Sequence, residues 1–498
     1  MKKIIAFVIM SALLLSGCSG ADTVNTNTRL HSCLDIIPLE TSEKSRDTVS
    51  DSEKDEVSEE DNFEEKTYYL RGSIFDTNME CVLSSEIPKD ETSYRKMNEK
   101  YTGLSNIFCD QSEGFDTIFE SILRSANPVL VSRKAPVGQS LQLTVNADMS
   151  QKIYDIMQKE NVVGSVAVMR SDGSVAALVS TPSYDLNRLR DDPDYSDELG
   201  NTGAFINRTR HLAAPGSTFK ILSEVLADIH GIDKLTDEGR IEIQSAYLQN
   251  WDFYKNYSYP FETDRTSAFL RSSNVYFAKA FGLIGEKDVV SDLKKYFLFG
   301  DDVSIDCDFA LLENVLDIES EDNLYRSGFG QGNVRTTPVY LSAVAREAIY
   351  GTMVKPFVLQ NIIDTKTSDI ISSASSPYEE IAEIPNKSGY RENIKKCMQQ
   401  AGTFLDIDIP EGYDLYTKTG TANVGNGLYL YITGGIVNQN DKTAQKIIYD
   451  TDYKNFSVQG GYMVTLQVQN PEELGFELAS NIAYLYNEIL NVIIKEGE

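Results

Sequence analysis

The most regular pattern of apolar positions along this chain begins at Ser217. Phe219, Leu222, Leu226 and Ile229 recur at spacings of 3, 4 and 3, the signature of one helix face, and Gly231 follows as a stop signal. The spacing predicts a helix over 217–230 with one buried side. Upstream, "VVGSVAVMRSDGSVAALVSTPSYD" (162–185) holds two apolar runs joined at Asp172-Gly173, a hairpin signal. Before it, "LQLTVNADMSQKIYDIMQKEN" (141–161) reads as a short strand followed by an amphipathic helix. Residues 264–283 form a second helical stretch, interrupted at "RSSN" (271–274), which is poor helix material and a junction between two short helices. Near the end, "LYLYITGGIV" (428–437) and "YMVTLQV" (462–468) read as strands. "PEELGFELASNIAYLYNEILNVII" (471–494) reads as a long final helix with Pro471 near its start. Early strands, a helical middle, then late strands and a terminal helix predict an α+β domain whose sheet is built from both ends of the segment.

The N-terminal part breaks these patterns. "MKKIIAFVIMSALLLSGCSG" has a basic start, an apolar run too short for a stable spanning helix, and a small-residue end, the form of a secretory signal. Leu15-Ser16-Gly17-Cys18 resembles the bacterial lipobox, in which the cysteine is lipidated and becomes the mature N-terminus. From Asp35 to Lys66 there are 13 acidic and 4 basic side chains and few large apolar ones, which suits a solvated, disordered tether. The expected organisation is a lipoprotein signal at 1–17, a tether at 18–66, a small N-terminal domain at 67–140 and the main domain at 141–498.

The whole chain of 498 residues is 41% hydrophobic, enough for a sizeable core, and carries a formal net charge of −29. That balance argues against non-specific nucleic-acid binding, which depends on lysine and arginine neutralising phosphates. The six cysteines, at 18, 33, 81, 109, 307 and 397, are scattered with no Cys-x-x-Cys, so no metal site is expected. With only His31, His211 and His230 available, a Ser-His-Asp triad has little to draw on. His211 reads as a loop residue and Gln331, in "GFGQGN", as one that shapes a turn.

"AAPGSTFKI" (213–221) places Ser217 three residues ahead of Lys220. On a helix these are neighbours on one face. A serine hydroxyl needs a base within hydrogen-bond reach to act as a nucleophile, and lysine is a base only where burial or a second cation lowers its pKa. Another lysine is therefore expected. Two remote segments complete the pattern: "RSSNVYF", with Ser272-x-Asn274, and "YTKTGTANVG", with Lys418-Thr419-Gly420-Thr421 ahead of a strand. Ser-x-x-Lys, Ser-x-Asn and Lys-Thr-Gly in this order are the motif set of β-lactamases and penicillin-binding proteins.

In these motifs the chain resembles the class B penicillin-binding proteins, serine D,D-transpeptidases of peptidoglycan synthesis. "RGSIFDTNMECVLSS" (71–85) is similar to the Arg-Gly-x-Ile-x-Asp element that opens their extracellular part. "SGFGQGNVRTTPVYLSAVAREAIYGTMVKP" (327–356) is similar to their Gly-Gln-Gly segment and the helix after it. The resemblance runs from about Arg71 to the end and implies the penicillin-binding transpeptidase fold: an antiparallel sheet flanked by helices, an all-helical subdomain and a small N-terminal pedestal. It implies Ser217 as nucleophile, Lys220 as its base, Ser272 as a proton bridge to Lys418, and Asn274 as a holder of Lys220 and the substrate backbone. Thr419 and Thr421 join Lys418 in binding the terminal carboxylate, Gly420 leaves room for the substrate, and the N–H groups of Ser217 and Thr421 form an oxyanion hole.

The implied partners are peptidoglycan stem peptides, β-lactams and a glycosyltransferase of the cell-wall machinery, at the outer face of the cytoplasmic membrane through a lipid on Cys18. No cofactor is implied. Thr77 and Met79 stand where the family usually shows Arg and Gly, and the pedestal is short. The Trp common after the Lys-Thr-Gly strand is missing, Trp251 being the only tryptophan. A D,D-carboxypeptidase or endopeptidase, and a non-catalytic receptor for β-lactam or cell-wall peptide, fit the same motifs.

Overall fold

The computed structural model describes residues 70–86, 94–109, 114–124, 137–244, 246–255, 258–300, 312–373, 379–387, 389–424, 427–439, 460–469, 471–476 and 478–497. The signal, Cys18, His31 and the acidic tether lie outside the described residues. At the centre is a five-stranded sheet in the order Tyr413–Val424, Gly427–Asn438, Tyr462–Gln469, Val163–Arg170, Val175–Thr181, every neighbouring pair antiparallel. Two of its strands come from early in the domain and three from late; the apolar runs predict two of the late ones, and the third, Tyr413–Val424, contains the Lys-Thr-Gly motif instead of following it. The early pair turns at Asp172-Gly173, where Asp172 Oδ1 accepts from the Ser174 N–H and hydroxyl at 2.9 and 2.7 Å.

Val175–Thr181 and Tyr462–Gln469 are buried along their whole length because helices cover both faces, so they read as apolar runs rather than alternations. On one face lie the helices Ala147–Lys159 and Ala483–Gly497, sharing a core with Val166, Val168, Leu430, Ile432 and Leu466. The first is capped by Asn146, whose Oδ1 accepts from the Met149 N–H at 2.9 Å. On the other face Pro338–Tyr350 is buried through Ile349. Its Ser342 hydroxyl lies 2.9 Å from Thr465 Oγ1, itself 2.7 Å from Thr433 Oγ1, so these three hydroxyls under the sheet satisfy one another. Beyond this helix is the helical region: Lys220–Ile229, Arg265–Leu270, Asn274–Ile284, Glu286–Phe297 and Tyr390–Gly402, with Phe219, Leu222, Leu226, Phe269, Phe277 and Phe281 in its core.

Two expectations change. The final helix begins only at Ala483; residues 471–474 and 479–482 are single 3₁₀ turns, separated by Gly475 at φ +74°, a conformation that a continuing helix cannot contain. Nor does 67–140 form a layer of its own. Its strands Ile74–Phe75, Cys81–Glu86 and Tyr94–Met97 extend a six-stranded sheet through Ser140–Leu143 to Leu359–Ile363 and Ile370–Ser373. Its apolar side chains share a core with Ala167, Leu178, Val339 and Val358. Residue 140 thus lies inside a strand, and hydrophobic patterning cannot reveal that the boundary is bridged, because pairing across 220 residues leaves no local mark. Met79, where family members carry Gly, has φ +62°, the left-handed region glycine favours, and its side chain packs on Phe75 and Ile363.

Candidate active site

Three remote segments meet beside the edge strand Tyr413–Val424. The first is the turn before Lys220. The Gly216 N–H is donated to Gly330 O at 2.9 Å, and Thr218 Oγ1 donates to Pro215 O at 2.8 Å. Residues 216–219 therefore wind as a 3₁₀ turn, and the α-helix proper starts at Lys220, not at Ser217. Gly216 sits at φ +56°, and a Cβ there would lie 2.4 Å from Thr421 O; the turn that carries Ser217 is packed directly on the Lys-Thr-Gly strand. One turn further along, buried Glu224 pairs with Arg265 at 2.9 Å, and Arg265 also reaches Asp228 at 3.0 Å, fastening the helix of the first motif to the helix that precedes the second.

The second segment is the junction between helices 265–270 and 274–284. Ser273 caps the latter, its side chain accepting from the Tyr276 N–H at 3.0 Å. That leaves the Ser272 hydroxyl to the cleft, on a backbone held at φ +56°. The third segment brings Lys418 from the edge strand.

Lys220 Nζ lies 2.8 Å from Ser217 Oγ, and within 2.7 Å of both Ser272 O and Asn274 Oδ1. It is 3.2 Å from Ser272 Oγ, to which Lys418 Nζ donates at 3.0 Å. Both lysines are buried. Two ammonium groups about 5 Å apart repel by about 3 kcal/mol at an effective dielectric near 20. Burial first, and the charge of Lys418 second, hold Lys220 well below the ordinary lysine pKa, with Asp237 opposing; burial brings Lys418 down to about 7.

As a neutral amine, Lys220 gives its two N–H bonds to Ser272 O and Asn274 Oδ1, which can only accept, and its lone pair is left for the Ser217 hydroxyl. Lys418 fits the charged form: Ser272 Oγ and Thr419 O, 2.9 Å away, take two of its three N–H bonds, and the third can meet an anion.

The cleft above these groups has a volume of about 630 Å³ and, among the described residues, is lined by no carboxylate; its cations are Lys418 and two arginines, Arg271 and Arg326, that pair with Asp252 and Asp322 outside the lining. In a chain of net charge −29 this is a local field for an anionic ligand. Thr419, Gly420 and Thr421 line it, as do Trp251 and Gln331. Trp251, 59% exposed, lines the cleft from the segment that follows the strand Ala246–Gln249. His211 is exposed and not among the lining residues.

Gly420 has a different reason to be small from the one the motif suggests. A Cβ there would lie 2.7 Å from Thr218 Cγ2 and 3.0 Å from Pro215 O, so the glycine makes room for the turn that carries Ser217. Sequence reading also passes over Gln249 and Asn250. Gln249 O accepts from Asn274 Nδ2 at 3.0 Å, and Asn250 Oδ1 accepts from the Asn274 N–H at 2.7 Å. The only signal they leave is their place at the end of a short strand, Ala246–Gln249.

An edge strand beside a Ser–Lys pair, a second buried lysine and an anion-seeking cleft define a serine acyltransferase class of site. The penicillin binding protein transpeptidase domain profile matches residues 163–444, and the chain belongs to that family, as a class B penicillin-binding protein. It is similar to "Penicillin-binding protein 3" of Bacillus subtilis (strain 168), 24% identical over 426 residues, covering 82% of this chain and 59% of that protein. It is also similar to "Peptidoglycan D,D-transpeptidase FtsI homolog" of Mesostigma viride, 24% identical, covering 83% of this chain and 73% of the relative. The chain thus spans about three fifths of the Bacillus protein's length. Among solved structures, penicillin-binding protein A from M. tuberculosis, as an imipenem acyl-enzyme complex, superposes with a TM-score of 0.70 at 19% identity. That match covers 86% of this chain and 98% of the other. The D,D-transpeptidase domain of a peptidoglycan glycosyltransferase from Eggerthella lenta gives 0.67 at 18% identity, covering 86% and 99%. Both show the same fold.

Proposed function

We propose that this chain is a peptidoglycan D,D-transpeptidase that works through an acyl-enzyme on Ser217 and is acylated by penicillin. The observation that carries this reading is Lys220 Nζ, buried, 2.8 Å from Ser217 Oγ, with its ammonium form disfavoured by burial and by Lys418. Ser217 Oγ passes its proton to Lys220 as it attacks the carbonyl carbon of the penultimate D-alanine. The oxyanion is received by the N–H groups of Ser217 and Thr421. Lys220 returns the proton through Ser272 Oγ to the leaving nitrogen, the C–N bond breaks and the terminal D-alanine departs. An acceptor amine then attacks the ester, and its proton travels back to Ser217 Oγ. Asn274 holds Lys220 and the substrate amide, while Lys418 with the Thr419 and Thr421 hydroxyls holds the terminal carboxylate. The substrate lies along the open edge of strand 413–424, which ends the sheet, in the manner of an added strand.

Lipidation at Cys18, a tether at 18–66, placement at the outer face of the cytoplasmic membrane and cooperation with a glycosyltransferase belong to this same proposal, supported by the lipobox-like sequence and the family. Among the described residues no helix is long and apolar enough to cross a membrane.

Incubating the full chain with fluorescent penicillin, followed by peptide mass mapping, is expected to place the label on Ser217. A D-Ala-D-Ala stem-peptide thioester with an acceptor amine is expected to give the amide. Absence of label, or label elsewhere, overturns the acyl-enzyme. Hydrolysis that added amine does not divert marks a carboxypeptidase, and labelling without turnover marks a receptor.

The two lysines predict a bell-shaped pH dependence. Lys220 must be neutral, so acylation falls as pH drops through its depressed pKa. Lys418 must be charged, so kcat/KM, which reports the free enzyme, falls as pH rises above about 7. A bound carboxylate favours the ammonium, so the alkaline limb measured at saturating ligand is expected at higher pH than the limb in kcat/KM. Coincident limbs would contradict Lys418 as the carboxylate site.

A further inference from the structure

A buried polar cluster stands behind the Ser272–Asn274 turn, and the acyl-transfer scheme makes no use of it. Asp237 ends the strand Lys234–Asp237, and Asn250 follows the strand Ala246–Gln249; they are 1% and 2% exposed. Asn250 Oδ1 accepts from the N–H groups of Asn274 at 2.7 Å and Val275 at 3.0 Å, donors that have no acceptor within their own helix. Its Nδ2 reaches both carboxylate oxygens of Asp237 at 2.9 and 3.0 Å and Tyr259 Oη at 3.0 Å. Asp237 also accepts from the Gly239 N–H at 2.8 Å and from Ser273 Oγ at 2.6 Å. Ser273 is the residue between the two, Ser272 and Asn274, that touch Lys220. A non-glycine residue in the left-handed region costs about 1–2 kcal/mol and persists only where its surroundings over-determine it. The turn at Ser272 is such a place, and this cluster is what surrounds it from behind.

We propose that Asp237 and Asn250 are positioning residues for the acyl transfer: they clamp the turn from behind, hold Ser272 in its left-handed conformation with its hydroxyl between Lys220 and Lys418, and set a buried carboxylate one residue behind the groups that bind Lys220. The kinetic part of this inference rests on the acyl-transfer reading; the clamp and its charge do not. Of the charged groups that act on Lys220, Lys418 arrives from the edge strand and disfavours the ammonium, while Asp237 favours it. Ser217, Ser272 and Asn274 face the amine as neutral groups. The carboxylate thus limits how far burial and Lys418 depress Lys220, keeping the base strong enough to take a serine proton.

The two functions of the cluster separate by substitution. In Asp237→Asn the shape survives, because the new amide can donate to Ser273 Oγ, whose own hydrogen turns to Asn250 Oδ1 at 3.3 Å; only the charge goes. In Asn250→Ala the charge stays and the two helix N–H groups lose their acceptor. With the full chain carrying ¹³C-labelled lysine, the Lys220 resonance is assigned from its loss in Lys220→Met and titrated. Its midpoint is expected to fall by about one pH unit in Asp237→Asn. The acid limb of penicillin acylation is expected to move to lower pH by the same amount, and the melting temperature to stay near that of the wild-type chain. Asn250→Ala is expected to slow acylation roughly tenfold or more at every pH, with a smaller midpoint shift than Asp237→Asn. An unchanged Lys220 midpoint in Asp237→Asn, or wild-type acylation rates in Asn250→Ala, overturns the proposal. If the wild-type chain is not acylated at all, the acyl-transfer reading falls, and the titration in Asp237→Asn still decides whether the buried carboxylate acts on Lys220.

Discussion

Lys220→Met is expected to be acylated by penicillin about a thousandfold more slowly than the wild-type chain, at an unchanged or higher melting temperature. The rate loss is the scale of a general base removed from the proton it takes: with methionine at 220, no group is left 2.8 Å from Ser217 Oγ that can accept that proton. The stability gain follows from the burial that makes the base. Lys220 is 0% exposed, and its ammonium is disfavoured both by desolvation and by Lys418, whereas the thioether of methionine has no charge to desolvate and nearly the same length. Ser272 O and Asn274 Oδ1 lose a donor, but both residues line the open cleft, where water can replace it. The sign of the linkage adds a pH test. For a lysine whose folded pKa is depressed, the unfolded chain binds the extra proton between the folded pKa and 10.5, so that lysine's contribution to stability rises with pH across the interval. The advantage of Lys220→Met is therefore expected to be largest at low pH and to shrink as pH rises. Thermal melts at several pH values beside gel-based penicillin labelling measure both effects; a variant that labels at the wild-type rate removes Lys220 from the chemistry.

Gly216→Ala is expected to lose about a hundredfold in acylation and to melt several degrees lower. Gly216 has φ +56°, and the new Cβ would stand 2.4 Å from Thr421 O and 2.8 Å from Thr421 C. Backbone cannot yield as a flexible side chain would. The left-handed conformation alone costs about 1–2 kcal/mol, and relief of the contact must push the 216–219 turn away from the strand. That displacement separates the Ser217 and Thr421 N–H groups, and removing one oxyanion donor typically costs about a hundredfold or more. Because Lys220 keeps its contacts with Ser272 and Asn274, Gly216→Ala is expected to retain the pH dependence of the wild-type chain at a lower rate, which separates it from Lys220→Met. Wild-type rate and stability would mean that the turn is not packed on Thr421 as described.

Serine 272 illustrates how far the chain could be read in one dimension. The motif names Ser272 and Asn274, and both reach Lys220. It does not say that Ser273, the residue it leaves blank, caps the helix and so releases Ser272 for the cleft. Asp237 and Asn250, which hold this turn, belong to no motif, because their spacing of 13 residues reflects the path of an irregular β-ribbon and not a helix or strand repeat. Gly420 was legible as a glycine that must be small. Its neighbour, Thr218, comes from 202 residues earlier, and only the packed structure names it.

By itself the sequence determined the elements and the chemistry: periodicities short enough to lie within one helix or strand, the hairpin at Asp172-Gly173, and three motifs whose residue types dictate a nucleophile, a base and a second cation. The tertiary structure alone decided which buried lysine stands against Ser217 with its pKa pulled well down, what holds Ser272 against its backbone preference, and that the strands between residues 74 and 97 share a sheet with the main domain. The physical reason is common to all three. Desolvation, charge–charge repulsion and strand pairing depend on distances through space between residues tens to hundreds of positions apart, and the order of residues along a chain does not record those distances.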